Sequence, residues 1–246
     1  MNAETNTLNY MIKLKKRFLV AEKTLALQFE KPKKFVFKPG QYIDLTLLHP
    51  SETDEEGNIR TFSIASAPHE EFLMVATRLR ESAFKRQLPD LALGTELKIE
   101  GPSGGFTLHN NPERAALFLV GGIGITPVRS ILMRAAKDKL PHRIVVLYAN
   151  RRPEDAAFLD ELTSLQKENP NYTLIPTMNE MDNSTRSWSG ETEKIGPALL
   201  KKYQSGLPTP LYYVVGPPGM VNGVHAMLNQ TGIDDDDIRS EDFGGY

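Results

Sequence analysis

Between residues 10 and 108 apolar side chains come in short alternating runs broken by turn signals, and no stretch keeps a helical period. Leu25, Leu27 and Phe29 alternate with Thr24, Ala26, Gln28 and Glu30, and Ile43, Leu45 and Leu47 alternate with Asp44 and Thr46. Each run has one apolar face, which predicts an antiparallel β-barrel of Greek-key type. Pro39-Gly40 turns one strand into the next, and the acidic residues 51–57 read as a loop. Residues 59–67 predict a strand stopped by Pro68, with Arg60, Phe62 and Ile64 on one face and Thr61, Ser63 and Ala65 on the other. Residues 72–80 predict another strand, and Ser82 caps one or two helical turns reaching Leu88. Residues 97–106 close the barrel, ending in Gly101-Pro102-Ser103-Gly104-Gly105-Phe106, a turn whose glycines leave room for a ligand.

Past the polar, proline-bearing link at residues 109–114 the texture changes. Continuous apolar strands at 115–120, 143–149, 172–175 and 211–215 are separated by amphipathic helices at 127–137 and 154–167, with a further helix at 218–228. Such strands belong to a parallel sheet covered on both faces, because a sheet with one wet face would alternate instead. The expected architecture is a β-barrel plus α/β: a barrel domain over residues 8–110, then a Rossmann-like parallel-sheet domain over 114–246.

The chemistry-bearing residues sit at the ends of these strands. Arg60, Phe62 and Ser63 place a fixed cation, a planar ring and a hydroxyl along one line, which suits a flavin nucleotide; an ordinary amphipathic strand with a surface Arg is the other reading. The backbone N–H groups at Ser82 can face a pyrophosphate. Gly121-Gly122-Ile123-Gly124-Ile125-Thr126-Pro127 brings backbone close to an anion, with Thr126 as expected N-cap and Pro127 opening the helix. A tight strand-to-helix turn alone accounts for the same glycines. Gly216-Pro217-Pro218-Gly219-Met220 repeats the arrangement at the same edge of the sheet. Asn150-Arg151-Arg152 ends the second parallel strand, where ribose recognition belongs, and two arginines there favour a 2′-phosphate, with solvated surface arginines as the alternative.

Composition narrows the field. With 246 residues, 40% hydrophobic and 24% charged, and a net charge of −2, the chain has room for two cores and carries no basic excess for nucleic acid. Zero cysteines remove disulfides, Cys-ligated iron–sulfur clusters and thiol nucleophiles together. The polar N-terminus has no signal-peptide pattern and no apolar run reaches the length of a membrane span, so a cytoplasmic protein is expected. His69, His109 and His142 lack a second ligand at metal spacing and read as loop or surface residues, and Asp234 to Asp237 as a solvated loop.

Arg-Thr-Phe-Ser, Gly-Pro-Ser-Gly-Gly-Phe, Gly-Gly-Ile-Gly-Ile-Thr-Pro and Gly-Pro-Pro-Gly-Met, in this order over nearly the whole chain, resemble the ferredoxin–NADP reductase family of flavin-dependent oxidoreductases. The resemblance implies a barrel that binds FAD (FMN in some branches) and a second half that binds NADPH or NADH. It implies Arg60 on the flavin pyrophosphate, Phe62 against the isoalloxazine and Ser63 near flavin N5, with Thr61, Thr77, Arg78, Ser82, Ala83 and Phe84 completing the flavin site. It implies Gly121, Gly122, Ile123, Gly124 and Thr126 along the dinucleotide and Gly216, Pro217 and Met220 beside the nicotinamide. Asn150, Arg151 and Arg152 go to the ribose. The closing Ser-Glu-Asp-Phe-Gly-Gly-Tyr matches the family's acidic-then-aromatic tail, which implies Ser63 and Glu241 as the catalytic pair and either Phe243 or Tyr246 over the second flavin face, with Phe243 favoured for the stack and Tyr246 for the rim.

Three positions depart from the family pattern. Phe62 replaces a Tyr and loses its hydroxyl. Val215 replaces a Cys and offers no thiol to the nicotinamide pocket. Glu81 replaces a Gly before the helical turn, where the pyrophosphate would lie. The implied function is an NAD(P)H-dependent reductase passing a hydride to FAD and then single electrons to a separate acceptor protein, such as a ferredoxin, a flavodoxin or an oxygenase component. The alternative is a regulatory or scaffold subunit that binds nucleotide without turnover. A monomer is expected, and the resemblance leaves the oligomeric state, the acceptor and the nucleotide open.

Overall fold

The computed structural model describes residues 8–244, so Tyr246 lies outside the described residues. Six strands form an antiparallel sheet: β1 (Asn9–Ala21), β2 (Thr24–Glu30), β3 (Tyr42–Leu47), β4 (Ile59–Ser63), β5 (Phe72–Arg78) and β6 (Glu96–Ser103). Their order is β4-β3-β6-β1-β2-β5. The sheet curls until its edges meet, since Ala65, just past β4, donates its N–H to Met74 O on β5 at 2.8 Å. The alternating apolar residues fill the interior, with Leu27, Phe29, Ile43, Leu45, Leu73 and Ile99 fully buried. Phe84 of helix α1 (Ala83–Gln87) and Leu88 just after it are buried in the same core cluster.

The second half is a parallel five-stranded sheet of β7 (Ala116–Gly121), β8 (Ile144–Asn150), β9 (Tyr172–Met178), β10 (Leu211–Gly216) and β11 (Ile238–Asp242), ordered β11-β10-β7-β8-β9. Helices α2 (Ile125–Lys137) and α3 (Leu159–Leu165) cover one face, and α4 (Pro197–Gln204) and α5 (Pro218–Gln230) the other. Burial on both faces explains why these strands read as continuous apolar runs. The strand order reverses between β7 and β10, the place where open parallel sheets bind ligands. The two halves share a core: Ala65, Met74, Ala76 and Phe106 are buried in one cluster with Phe118, Val128 and Tyr213.

Several local expectations are corrected. The Arg60 strand ends at Ser63, well before Pro68, because Ile64 bonds back to Gln41 O while Ala65 crosses to β5. The expected helix at 154–167 is two pieces, a short turn at Pro153–Asp155 and α3, separated by Phe158 in the left-handed conformation at φ 59. Strand β11 and helix α4 carried too weak a period to be read. Thr126 is not the N-cap of α2; it lies inside the helix and its hydroxyl donates to Ile123 O at 3.0 Å. Of the glycines at 101–105, Gly101 and Gly104 serve the packing of the chain itself, while Gly105 has open space beside it. A Cβ on Gly104 would meet the Tyr42 ring at 2.8 Å and one on Gly101 would meet Tyr42 O at 3.2 Å, so they let the chain's own strands pack.

His69, His109 and His142 all lie outside helices and strands, as expected, but they differ in burial. His69 is exposed, but His109 and His142 are buried with rings 5.0 Å apart. His109 Nδ1 lies 3.0 Å from Tyr213 Oη and His142 Nε2 bonds His109 O at 2.9 Å, and burial holds both imidazoles below their usual range. They knit the inter-domain link onto the parallel sheet. Asp234, Asp235 and Asp236 are exposed, whereas Asp237 pairs with Arg114 at 2.7 Å. Among the described residues, no helix is long and apolar enough to cross a membrane.

Candidate active site

A cleft of about 1280 Å³ opens where the barrel meets the C-terminal edge of the parallel sheet. From the barrel it is lined by Arg60, Thr61, Phe62 and Ser63 of β4, by Thr77 and Arg78 of β5, and by Ser82. From the second half come Ile123 and Thr126 of the glycine turn and Glu241 and Phe243 of the tail. Residues more than 170 positions apart in the chain thus face one space.

The β3–β4 register decides which side chains share a face. Phe62 pairs with Ile43 and Arg60 with Leu45, so both point to the barrel side, while Ser63 pairs with Tyr42 and Thr61 with Asp44. Phe62 is 7% exposed, with its ring centroid 5.9 Å from that of Phe84, and Arg60 lies 5.2 Å over the same Phe84 ring. Thr61 donates its hydroxyl to Asp44 Oδ1 at 2.5 Å. Ala83 and Phe84 are buried beneath the site as its floor and do not line the cleft. Ser82 caps α1, accepting the Lys85 N–H at 3.2 Å.

Sequence reasoning missed several cleft residues. Lys23, Arg80, Lys85 and Arg86 line it together with Arg60 and Arg78, and Tyr42 lines it beside Ser63. The cations crowd one another: burial, and then Arg80 and Arg60, hold Lys85 below its usual range. A signal existed in the dense cations of Arg-Leu-Arg-Glu-Ser-Ala-Phe-Lys-Arg around the cap.

The glycine turn and the Gly216 turn meet at the reversal of strand order. A Cβ on Gly124 would stand 2.7 Å from Val215 O, and one on Gly216 3.1 Å from Gly121 Cα. Met220 and Pro217 pack onto Gly121. Gly121, Gly124, Gly216, Pro217 and Met220 therefore pack on one another beside the cleft, and of the glycine turn only Ile123 and Thr126 line it. Val215 is fully buried in the core beneath and does not shape the cleft wall.

Strand β11 sets the remaining groups. Val215 pairs with Glu241 and Gly216 with Asp242, and Phe243 N–H donates to Gly216 O at 3.1 Å. Glu241 Oε2 is buried without a hydrogen-bond partner among the described residues. Burial, with a smaller push from Asp242, raises the Glu241 carboxyl to about 7. A carboxyl that holds its proton near neutrality in a cleft is suited to donating a hydrogen bond or moving a proton.

Asn150, Arg151 and Arg152 lie outside the cleft and do different things. Arg152 is committed to Asp155 and to Glu22 of the barrel, each at 3.0 Å, and its Nη1 donates to Asn183 O; those partners hold its guanidinium above its usual range. These contacts fasten the two halves, and a 2′-phosphate there would have to displace Glu22 and Asp155. Arg151 is exposed, and Asn150 is buried with both amide atoms unpartnered among the described residues. On the far side of the junction Arg129, 4% exposed at its side chain, donates to Ala65 O at 2.7 Å and pairs with Glu70 at 2.9 Å and Glu161 at 2.6 Å.

The sequence profile of the oxidoreductase NAD-binding domain matches residues 118–226. The chain is 30% identical over 211 residues to ferredoxin–NADP reductase B of Sorangium cellulosum, covering 82% of this chain and 83% of that protein. It is 27% identical over 225 residues to the glycine betaine monooxygenase reductase subunit of Chromohalobacter salexigens, covering 90% of this chain and 60% of the relative. Among solved structures, a ferredoxin NADP+ reductase from Neisseria gonorrhoeae with bound FAD and NADP has the same fold, with a TM-score of 0.77 at 19% identity over 95% of this chain and 98% of that one. The chain spans 49% to 60% of the length of several reductase subunits that it matches.

Proposed function

We propose that this chain, which belongs to the ferredoxin–NADP reductase family, works as an NAD(P)H-dependent flavoprotein reductase that hands electrons to a separate acceptor protein. One observation carries the reading: a single cleft collects Arg60, Phe62 and Ser63 from the barrel, Ile123 and Thr126 from the glycine turn, and Glu241 and Phe243 from the tail.

The residues fit a flavin dinucleotide. The cleft is large enough for two nucleotides, and its mouth gathers cations from β4, β5 and α1, with Lys85 held below its usual range by burial first and then by the charges of Arg80 and Arg60, which suits a site for a polyanion. Arg60, Ser82 and Lys85 would hold the phosphates, and Phe62, Ser63 and Thr61 the ring system. When bound, a flavin supplies acceptance of two electrons from a reduced nicotinamide and their release one at a time.

The chain's own contribution is placement and water exclusion. Ser63, 6% exposed, and the buried Oε2 of Glu241 come from opposite halves onto the cleft, so polar groups with little access to water flank it on both sides. Glu241 can hold a proton at Oε2 near neutral pH and exchange it as charge changes beside it. Phe243, tied through its N–H to Gly216, can cover the cleft and yield it to a nicotinamide ring. The acceptor would be an oxygenase component, a ferredoxin or a flavodoxin, in keeping with the reductase components among the relatives.

Anaerobic titration with NADH and with NADPH tests the proposal. A yellow protein whose flavin absorbance bleaches supports the reductase. A protein that binds nucleotide but stays colourless after reconstitution with FAD would instead favour the regulatory or scaffold reading, for which the engagement of Arg60 by the chain's own carboxylates is the one structural argument.

A further inference from the structure

We propose that Asp54 and Glu56 form an internal latch on Arg60, so that phosphate-bearing flavins enter only by displacing the chain's own carboxylates while flavins lacking phosphate are not opposed. The inference rests on the flavin reading above and assigns two specificity-determining residues to it.

The acidic segment 51–57 between β3 and β4 is folded onto the flavin-facing end of the barrel. Arg60 Nη2 pairs with Asp54 Oδ1 at 3.2 Å and with Glu56 Oε2 at 2.8 Å. Its Nη1 donates to the carbonyls of Glu56, Gly57 and Ile59 at 2.8–3.0 Å. With one face of the guanidinium over Phe84 and both terminal nitrogens engaged, no terminal N–H remains for a bidentate phosphate contact. The second oxygen of Asp54 accepts the Ala83 N–H at 2.8 Å, so one carboxylate bridges Arg60 and the start of α1. A carboxylate bridging two donors in this way places negative oxygens where a phosphate would place its own. The two cannot coexist there, because like charges a few ångströms apart in a half-buried site repel strongly.

The segment is also built to be released. Its anchor lies apart from Arg60: Glu52 is bidentate to Arg86 at 2.7 and 2.9 Å, and Gln87 Nε2 donates to Glu52 O at 2.9 Å. Gly57, at φ +72 and with open space around it, supplies a backbone joint between that anchor and β4. Glu56 lines the cleft with its side chain 68% exposed, so it can leave Arg60 without crossing the core. Apparent affinity for a phosphate-bearing flavin is then reduced by the fraction of time the latch is open.

The full chain, stripped of flavin, is titrated with FAD and with riboflavin by flavin fluorescence, comparing wild type, Asp54→Asn/Glu56→Gln, Glu56→Gln alone and Arg60→Ala. The latch predicts that the double variant tightens FAD by roughly ten-fold or more, that Glu56→Gln tightens it part of the way, and that riboflavin affinity stays unchanged in both. Arg60→Ala should weaken FAD and abolish the response to the Glu56 substitution. If wild type binds FAD and the neutralised variants bind it equally or more weakly, the latch is overturned and the flavin reading stands. Equal tightening of riboflavin overturns it too, and failure of wild type to bind either flavin overturns both readings.

Discussion

Replacing Glu241 by Gln should make the flavin-free protein more stable at high pH, and the size of the gain follows from the cleft. The Glu241 carboxyl titrates at about 7 in the folded chain against 4.5 as a free side chain, because Oε2 is buried without a partner and Asp242 is adjacent. Below pH 4.5 the group is neutral in both states and contributes no penalty. Between pH 4.5 and 7 the folded state keeps a proton that the unfolded chain has released, so stability falls as pH rises, and above 7 the whole penalty is present. At 1.36 kcal/mol per pH unit the shift is worth at most about 3 kcal/mol, less whatever water reaches the carboxylate. The neutral, nearly isosteric Gln avoids that penalty. Urea unfolding of both proteins at pH 5, 6, 7 and 8 should show the Gln variant gaining on wild type steadily with pH and levelling off at the top of the range. A difference that is flat from pH 5 to 8, or that favours wild type at pH 8, would refute the burial argument.

Four further outcomes are expected. Gly124→Ala should cost about 1–3 kcal/mol in chemical denaturation, since its Cβ meets only backbone of Val215 and Gly216, whereas Gly105→Ala, with open space around it, should be close to neutral. Arg129→Met should cost about 3–5 kcal/mol by the same measurement, because it leaves the Glu70 and Glu161 carboxylates and Ala65 O without their buried cation. Arg152→Ala should lower Tm and affect NADH and NADPH kinetics alike, while Arg151→Ala should raise the KM for NADPH and leave that for NADH unchanged; a selective effect at Arg152 would contradict its structural role. Truncation after Glu241 should tighten binding of the oxidised nucleotide and slow turnover, since it removes Phe243 from the cleft; unchanged affinity and turnover would show that the tail is no gate.

The hydrophobic pattern of this chain is enough to determine its two textures. A strand with one face in the barrel core alternates, as Leu25, Leu27 and Phe29 do even though Ala26 on the opposite face is buried against the second half, whereas a strand covered by helices on both faces is apolar throughout, as residues 116–121 are. Backbone chemistry is equally local, so the turns at Gly121 and Gly216 and the cap at Ser82 could be read before any fold was known. Elements whose stability comes from docking were not legible: β11 pairs through backbone to β10, and α4 is short and only half apolar.

What the sequence by itself determined is therefore the order of the barrel and the parallel sheet, and the short motifs at their strand ends. What only the tertiary structure decided is the partner of each charge. Arg60 and Arg152 look alike in the sequence as cations near strand ends, yet one meets Asp54 and Glu56 at the cleft and the other fastens Glu22 to Asp155. Glu241 resembles any acidic residue of a polar tail until β11 lays it against Val215 and buries Oε2. Side-chain periodicity follows from the local backbone, whereas the field at a charged group is the sum over whatever the fold brings within a few ångströms, and that sum has no signature in the neighbouring sequence.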